Sequence, residues 1–321
     1  MKIIATISTK CSEKDFDNLI ETCLSNYVNN FRFNLAKFNE EEYDLFTKKC
    51  KLLHSENNIL SFDIPFPGMK PRIFIYEYPR HITKGEFIYC SNSTKSNCYI
   101  NVDNFYNYFK LGNNYYYQDG IGFLTVEYIS ASKIVFRSEN EFVLCSGKSL
   151  TGGETLKTHI NKRIIDLLNN VKPEEIWLSF VEEPMCESLL LSYLEYSPRI
   201  FYKIETLKSY ENIYNLLTLS DADIVIARGD LGTSFCYNLI DIQYNLLKMS
   251  KKFNKMVYLA TDFLKSMNIS TLPSRADMID IQFAVQTQCD GIMLNVSNLF
   301  NNFSHQVEYI RRCEEQIKRS C

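Results

Sequence analysis

No apolar run in this sequence approaches the roughly 20 residues that a helix needs to span a bilayer. The opening Lys2-Ile3-Ile4-Ala5-Thr6-Ile7 is too short and turns polar too soon for a secretory signal, so a cytoplasmic protein away from any membrane is expected. A strongly basic block is also missing. The formal net charge is −3, which argues against a nucleic-acid partner. The four histidines, His54, His81, His159 and His305, stand far apart, and none of the 11 cysteines forms a Cys-x-x-Cys pair. A zinc site is therefore not expected. The odd cysteine count, with Cys23, Cys145 and Cys236 among apolar neighbours, reads as reduced, buried thiols rather than a disulfide framework. No repeat and no linker to a further domain is visible.

What is present is an ordinary globular composition, 45% hydrophobic and 23% charged over 321 residues, enough for one large domain with a smaller insert. Lys2–Ile7 reads as a strand, and Ser12 as the cap of a helix from Phe16 to about Tyr27 with Leu19, Ile20 and Cys23 on one face. A strand at Phe31–Leu35, a helix over Glu40–Glu56 with Tyr43, Phe46 and Leu53 inward, and a strand at Ile59–Ile64 follow. This beat belongs to a parallel sheet. From about Ile73 to Leu150 it gives way to short aromatic and β-branched runs: Tyr99–Val102, Tyr115–Tyr117, Phe123–Ile129, Lys133–Phe136 and Phe142–Cys145. They are divided by turns such as Asp119-Gly120, with an exposed loop at Ser91–Asn97. That texture predicts an inserted small β-barrel over 73–150.

The alternation then resumes. Helices are expected at Thr155–Asn169, Pro184–Tyr196, Tyr210–Leu217, Asn238–Lys252, Ser274–Thr287 and Ser304–Lys318. Strands are expected at Glu175–Phe180, Arg199–Ile204, Asp223–Ala227, Met256–Ala260 and Gly291–Leu294. Eight strands, each followed by a helix, fit a (β/α)8 TIM barrel over 1–72 and 151–321, more economically than an open doubly wound sheet.

In such a barrel the polar residues at the strands' carboxyl ends share one mouth. Here they are Thr6, Arg32 with Asn34, Asp63 with Arg72, Ser179, Lys203 with Glu205, Arg228 with Asp230, and Thr261. Two acids suited to a divalent metal, among a lysine and three arginines, suit a substrate carrying carboxylate and phosphate. Gly229 and Gly232 allow close backbone approach, and the amides opening the next helix could hold an anion. Plainer readings stand beside these. Arg32 and Asp63 could be a structural ion pair, Lys203 and Glu205 a layer of the barrel core, and Arg228-Gly229-Asp230 a salt-bridged turn.

The ordered stretches closely resemble the pyruvate kinase family over nearly the whole chain. They are Lys2–Ile7, Arg32-Phe33-Asn34-Leu35, Asp63 through Arg72, Ser179-Phe180-Val181, Lys203-Ile204-Glu205, Ala227 to Gly232, Ala260-Thr261, Leu264 with Ser266-Met267, Pro273 to Asp277 and Asp290 to Leu294. The resemblance implies phosphoryl transfer from phosphoenolpyruvate to ADP, giving pyruvate and ATP. It implies that Glu205 and Asp230 bind Mg²⁺ (or Mn²⁺), and that Arg32 and Arg72 contact the transferring group. Lys203 would stabilise charge on that group and on the enolate. The amides at Gly229 and Asp230, with the Thr261 hydroxyl and the neighbouring Ser179 and Phe180, would bind substrate, and Thr261 lies on the proton route to the enolate carbon. Arg32, Asn34, Arg72 and Lys148 would face nucleotide, and the insert would be the family's lid. Asp119 would be a lid contact, though a plain hairpin turn explains it equally well.

The sequence also departs from the family. Asn-x-Ser is here Asn34-Leu35-Ala36, and Lys70 stands where potassium-dependent members carry glutamate. The Asn34, Asp63 and Lys70 group is thus expected to hold the Lys70 ammonium in place of K⁺, making K⁺ unnecessary. The Asp63–Arg72 segment is two residues longer than usual, with three prolines. Met-Leu-Ser-Gly-Glu-Thr is replaced by Met293-Leu294-Asn295-Val296-Ser297-Asn298, and Thr-Arg-Ala-Glu by Ser274-Arg275-Ala276-Asp277. Asp262 and Lys37 replace the family's glutamine and frequent histidine. The carboxyl-terminal effector domain is expected to be absent, leaving a homodimer through the barrel as the possible assembly. Besides a minimal pyruvate kinase, two readings follow: a non-catalytic relative keeping a metal and anion pocket, and an enzyme of the same barrel acting on another enol phosphate or 2-oxo acid.

Overall fold

The computed structural model describes residues 1–8, 12–37, 43–76, 79–234, 238–296 and 302–320. Expectations touching Glu40, Cys236, Ser297 and Asn298 lie outside the described residues. The chain divides into two compact units: Met1–Pro67 with His159–Gly229 and Asn238–Cys321, and Gly68–Thr158 with Asp230–Tyr237.

The first unit is built on eight parallel strands among the described residues: Lys2–Ile7, Asn30–Asn34, Ile59–Met69, Glu175–Ser179, Arg199–Ile204, Asp223–Ala227, Val257–Ala260 and Gly291–Asn295. Each pairs with the next in sequence, and the last returns to the first through Lys2↔Gly291, so the sheet closes. The strands Glu175–Ser179 and Asp223–Ala227 are buried throughout, as continuous apolar runs in a covered parallel sheet must be. Inside, Trp177, Phe201, Tyr258, Val225, Ile4 and Ala260 pack together, with Phe201 stacked on Tyr258 at 4.5 Å between ring centroids.

The surrounding helices follow their caps. Ser12 accepts from the Asp15 amide to start Glu13–Ser25, whose Phe16, Leu19, Ile20 and Cys23 are buried. Tyr43–Ser55 buries Phe46 and Leu53, and Phe46 meets Phe33 edge-on at 5.2 Å. Three expected helices come out differently. The one expected at Thr155–Asn169 is a short strand, Leu156–Lys157, followed by a helix at Lys162–Val171 that Asn161 caps. Pro184–Tyr196 shrinks to Glu187–Leu191, its start held off by Met185 at φ 63°, where a right-handed helix cannot pass. Tyr210–Leu217 becomes Leu207–Glu211 and Ile213–Thr218: a Thr206/Ser209 capping box starts the first helix early, and Asn212 leaves helical geometry between them.

The second unit is a closed antiparallel-rich barrel. Its strands run in the order Lys133–Ser138, Phe87–Ser91, Cys98–Ile100, Arg72–Ile75, Lys148–Thr151, Asn114–Tyr117, Gly122–Ile129 and back to Lys133–Ser138. Phe142–Leu144 and Arg80–Ile82 form a separate ladder. The aromatic runs supply the core, with Phe105, Tyr115, Tyr117 and Phe136 buried. The unit is wider than the aromatic stretch, because Met69 and Leu156 are register partners and both pack on that core. Gln118, Asp119 and Gly120 all take positive φ in the tight turn joining Asn114–Tyr117 to Gly122–Ile129, the geometry that Asp-Gly favours.

Candidate active site

The parallel register brings Arg32, Asp63, Ser179 and Lys203, on consecutive strands of the first unit, and Glu205, one residue past the strand Arg199–Ile204, together on the carboxyl-end side of the sheet. Their side chains form one network. Arg32 Nη2 donates to Asp63 Oδ2, and Ser179 Oγ donates to Asp63 Oδ1 at 3.0 Å. Lys203 Nζ lies 3.2 Å from Asp63 Oδ2, 2.9 Å from Glu205 Oε1 and 3.4 Å from Ser179 Oγ. The Phe180 amide, at a residue with φ 56°, donates to Glu205 Oε2 at 2.7 Å. Arg32, Asp63, Ser179 and Glu205 are buried.

Both structural readings of these residues therefore hold: Arg32 pairs with Asp63, and Lys203 with Glu205. They do not exhaust the site. Burial pushes the Asp63 carboxyl up, but the charges of Lys203 and Arg32, with hydrogen bonds from Arg32 and Ser179, hold it below the ordinary value. Burial pulls Lys203 down, yet Asp63 and Glu205 leave it raised. Lys203 is thus a fixed ammonium at neutral pH, fit to neutralise developing negative charge and unfit to act as a base. Among the described residues, buried Arg32 Nε has no hydrogen-bond partner. A buried donor left this way costs about 1–3 kcal/mol, and an oxyanion would satisfy it.

A second cluster of the same unit surrounds Thr261. This β-branched residue takes φ 83°, followed by Asp262 at φ 60°, a backbone cost of about 1–3 kcal/mol. Arg228 holds the bend: Nε donates to the Ala260 carbonyl at 3.1 Å, Nη2 to the Thr261 carbonyl and Nη1 to Asp280. Its guanidinium lies 3.8 Å from the centre of the Phe263 ring. Gly229 must lack a side chain, since a Cβ there would stand 2.9 Å from Thr261 Cγ2. The plain reading is right about the salt bridge and wrong about the turn: Arg228 pairs with Asp280 from the first residue of a helix, and its bonds to the Ala260 and Thr261 carbonyls fasten Thr261 against the Gly229 backbone. Arg228–Ser234 is helical from its first residue.

In the second unit Lys70, buried, donates to Thr151 Oγ1 at 2.7 Å and to Asp230 Oδ1, so its partners are these and not the Asn34 and Asp63 expected to share a cation site with it. Arg72 donates from Nη1 to the Gly147 carbonyl at 2.8 Å. Burial lowers the Arg72 pKa against the opposing charges of Asp230 and Asp119. Lys148 begins the adjacent strand, in register with Ile73. The two carboxylates expected at the metal, Glu205 and Asp230, fall in different units. The Asn34 side chain accepts from the Ala36 amide at 3.0 Å, closing the 3₁₀ turn Leu35–Lys37. Asp262 pairs with Lys265 at 2.7 Å, both exposed.

Sequence reasoning missed Thr151, although a hydroxyl just before Gly152-Gly153 was a usable signal for a partner at the end of the insert. It also missed Asp280 and Phe263 as supports of Arg228, and nothing local to them marks that role.

The family model for the barrel domain of pyruvate kinase matches residues 1–306. The chain belongs to the pyruvate kinase family. A pyruvate kinase of Buchnera aphidicola is 25% identical over 320 residues, covering 92% of this chain and 65% of that protein. One from Clostridium acetobutylicum is 29% identical over 223 residues, covering 66% of this chain and 46% of that protein. Plastidial pyruvate kinase 2 of Arabidopsis thaliana is 32% identical over 130 residues, or 39% of this chain and 22% of the relative. The matches thus span at most 65% of the length of these curated relatives. The pyruvate kinase family accounts for a barrel with a smaller β-barrel inserted after its third strand. Among the described residues no helix is long and apolar enough to cross a membrane.

Proposed function

We propose that this chain transfers the phosphoryl group of phosphoenolpyruvate to ADP, giving pyruvate and ATP. The observation that carries the reading is the buried Arg32–Asp63–Lys203–Glu205 network with an unpartnered Arg32 Nε. Phosphoryl transfer asks for positioned positive charge rather than a covalent nucleophile. Arg32 would bind phosphoryl oxygens, held in its rotamer by Asp63. Lys203, kept protonated by Asp63 and Glu205, would neutralise charge on the phosphoryl group and then on the enolate. The Gly229 and Asp230 amides and the Thr261 hydroxyl would bind the substrate carboxylate, and Thr261 would pass a proton to the enolate carbon. Arg72 and Lys148 would face nucleotide.

Glu205 and Asp230 are hard oxygen donors of the kind Mg²⁺ or Mn²⁺ takes, and they would hold the divalent ion. That ion supplies neutralisation of the phosphoryl oxygens when bound. K⁺ would be unnecessary if the Lys70 ammonium takes its place; the pairing of Asp63 with Arg32 and Lys203 supports that reading, whereas the Thr151 and Asp230 partners of Lys70 do not. A second reading, a relative that binds the anion without turnover, is favoured by one observation: the Lys70 ammonium sits on the Asp230 carboxylate.

The test is a lactate dehydrogenase-coupled assay with phosphoenolpyruvate, ADP and Mg²⁺, with and without K⁺, using Lys203→Ala as the blank. Turnover lost in the variant and indifferent to K⁺ is expected. Phosphoenolpyruvate binding by calorimetry without turnover would instead select the non-catalytic reading. Neither turnover nor binding would reject both.

A further inference from the structure

Outside the candidate active site, two cysteines of the second unit stand side by side on neighbouring strands. Cys90 ends near the close of strand Phe87–Ser91, and Cys98 opens strand Cys98–Ile100. The two strands run parallel and meet at the register pair Ser91↔Tyr99, one residue after each cysteine. Adjacent strands lie about 4.8 Å apart, inside the Cα separation of about 4.4–6.8 Å that a disulfide bridges. The sulfurs are already 3.3 Å apart. We propose that Cys90 and Cys98 are a thiol–disulfide exchange site that reacts with low-molecular-weight disulfides and closes to an intramolecular disulfide.

The two thiols are unlike, and the difference sets the order of attack. Cys98 is half-buried and Cys90 buried. A hydrogen bond from Cys90 lowers the Cys98 thiol against the effect of burial, and the Arg80 charge adds to it. Cys23, Cys186 and Cys289 are each pushed up to about 12, chiefly by burial, so they are poor competitors. The Cys98 thiolate attacks one sulfur of the small disulfide. A mixed disulfide forms on Cys98 and one small thiolate leaves. Cys90 then loses its proton and attacks Cys98 Sγ, and the second small thiolate leaves. The two cysteine sulfurs are oxidised, the small disulfide is reduced to two thiols, and two protons pass from the cysteines to those products. The bond would fasten the seam between two strands of the closed barrel that share so little backbone pairing.

Peptide mapping tests this on the whole chain. Trypsin cuts after Lys84, Lys95 and Lys110, so the disulfide joins peptide 85–95 to peptide 96–110. After incubation with oxidised glutathione and alkylation of remaining thiols, that linked pair is expected, and it should separate on reduction. Recovery of both peptides alkylated, or either one linked to another cysteine, would overturn the proposal. Cys90→Ser should trap glutathione on Cys98, whereas Cys98→Ser should leave Cys90 unmodified. Glutathione on Cys90 in the second variant would overturn the assigned order of attack. The wild-type mapping decides the site itself even if a variant fails to fold.

Discussion

The eight-stranded barrel carries a buried polar network at each end, and the two are built to different rules. At the amino ends of the strands, Glu175 accepts from Ser61 at 2.7 Å, Tyr258 at 2.8 Å and Trp177 at 3.2 Å. Lys2 lies 3.7 Å from Glu175 and donates to Tyr258 at 3.0 Å. One carboxylate collects three neutral donors, and its single cation reaches toward solvent. At the carboxyl ends, two carboxylates and two cations interlock and an arginine nitrogen is left over. The first arrangement satisfies itself. The second leaves a buried donor open, which under the proposed function an incoming anion would satisfy, in keeping with the division of such barrels into a stabilising end and a chemical one.

Substituting one residue at each end should break the comparison most widely. Under the proposed function, Lys203→Met is expected to lower turnover about a thousandfold, since it would remove a preorganised charge facing the developing anion. It should also destabilise the fold by about 3–5 kcal/mol, because the buried carboxylates Asp63 and Glu205 lose a charged partner. Glu175→Gln, at the other end, should leave turnover within about twofold and cost about 1–3 kcal/mol in urea unfolding. The coupled assay and denaturant titration read the two quantities separately. If Glu175→Gln were to lose turnover as deeply as Lys203→Met, the division between the ends would fall.

Much of this was legible before any coordinates. The strands are apolar runs that end in charge, so Arg32, Asp63, Ser179, Lys203 and Glu205 could be assigned to one mouth from order alone. The β insert was marked by its aromatic and β-branched texture, and its hairpin by Asp119-Gly120. Less legible was whatever depends on pairing at a distance. That Lys70 answers to Thr151 and Asp230, or that Arg228 rests on Asp280 and Phe263, follows from residues meeting across long stretches of chain, which period and propensity do not encode. Helix lengths failed where a single backbone angle decides them, as at Met185.

Glycines sharpen the same contrast on a smaller scale. A Cβ on Gly229 would meet Thr261 Cγ2 at 2.9 Å, at the carboxyl end, whereas one on Gly291 would meet Tyr258 Cδ1 at 2.9 Å and the Lys2 carbonyl at 3.2 Å, at the amino end. Either Gly→Ala change should cost about 1–3 kcal/mol by overpacking. The relief differs. Thr261→Ser removes the offending methyl, so it should recover stability in the Gly229→Ala background while costing stability or nothing alone. No such partner exists for Gly291→Ala, where backbone and a stacked ring press together. Thermal melts of the four variants test it, and a Gly229→Ala/Thr261→Ser double variant that merely adds the two single costs would refute the contact.

The smallest expected effect separates the ends by pH. Asp63 is held below its ordinary value in the fold, so its pairing stabilises the protein above the unfolded carboxyl pKa of about 3.9. That contribution fades as pH falls through the lower folded value. The stability gap between wild type and Asp63→Asn should therefore be constant from about pH 7 to 5 and narrow below about pH 4. Tyr258, at the other end, is raised by burial and by Glu175, so its neutral form is the one the fold favours. Its contribution is complete below the unfolded tyrosine pKa of about 10 and is lost above it. The gap between wild type and Tyr258→Phe should thus narrow in alkali and stay level in acid, the reverse of Asp63→Asn. Urea midpoints at pH 3, 5, 7 and about 10.5 read both gaps. Gaps that narrowed together at one extreme of pH would mean that the two networks are coupled through the Trp177, Phe201 and Tyr258 layer between them, instead of standing as separate ends of one barrel.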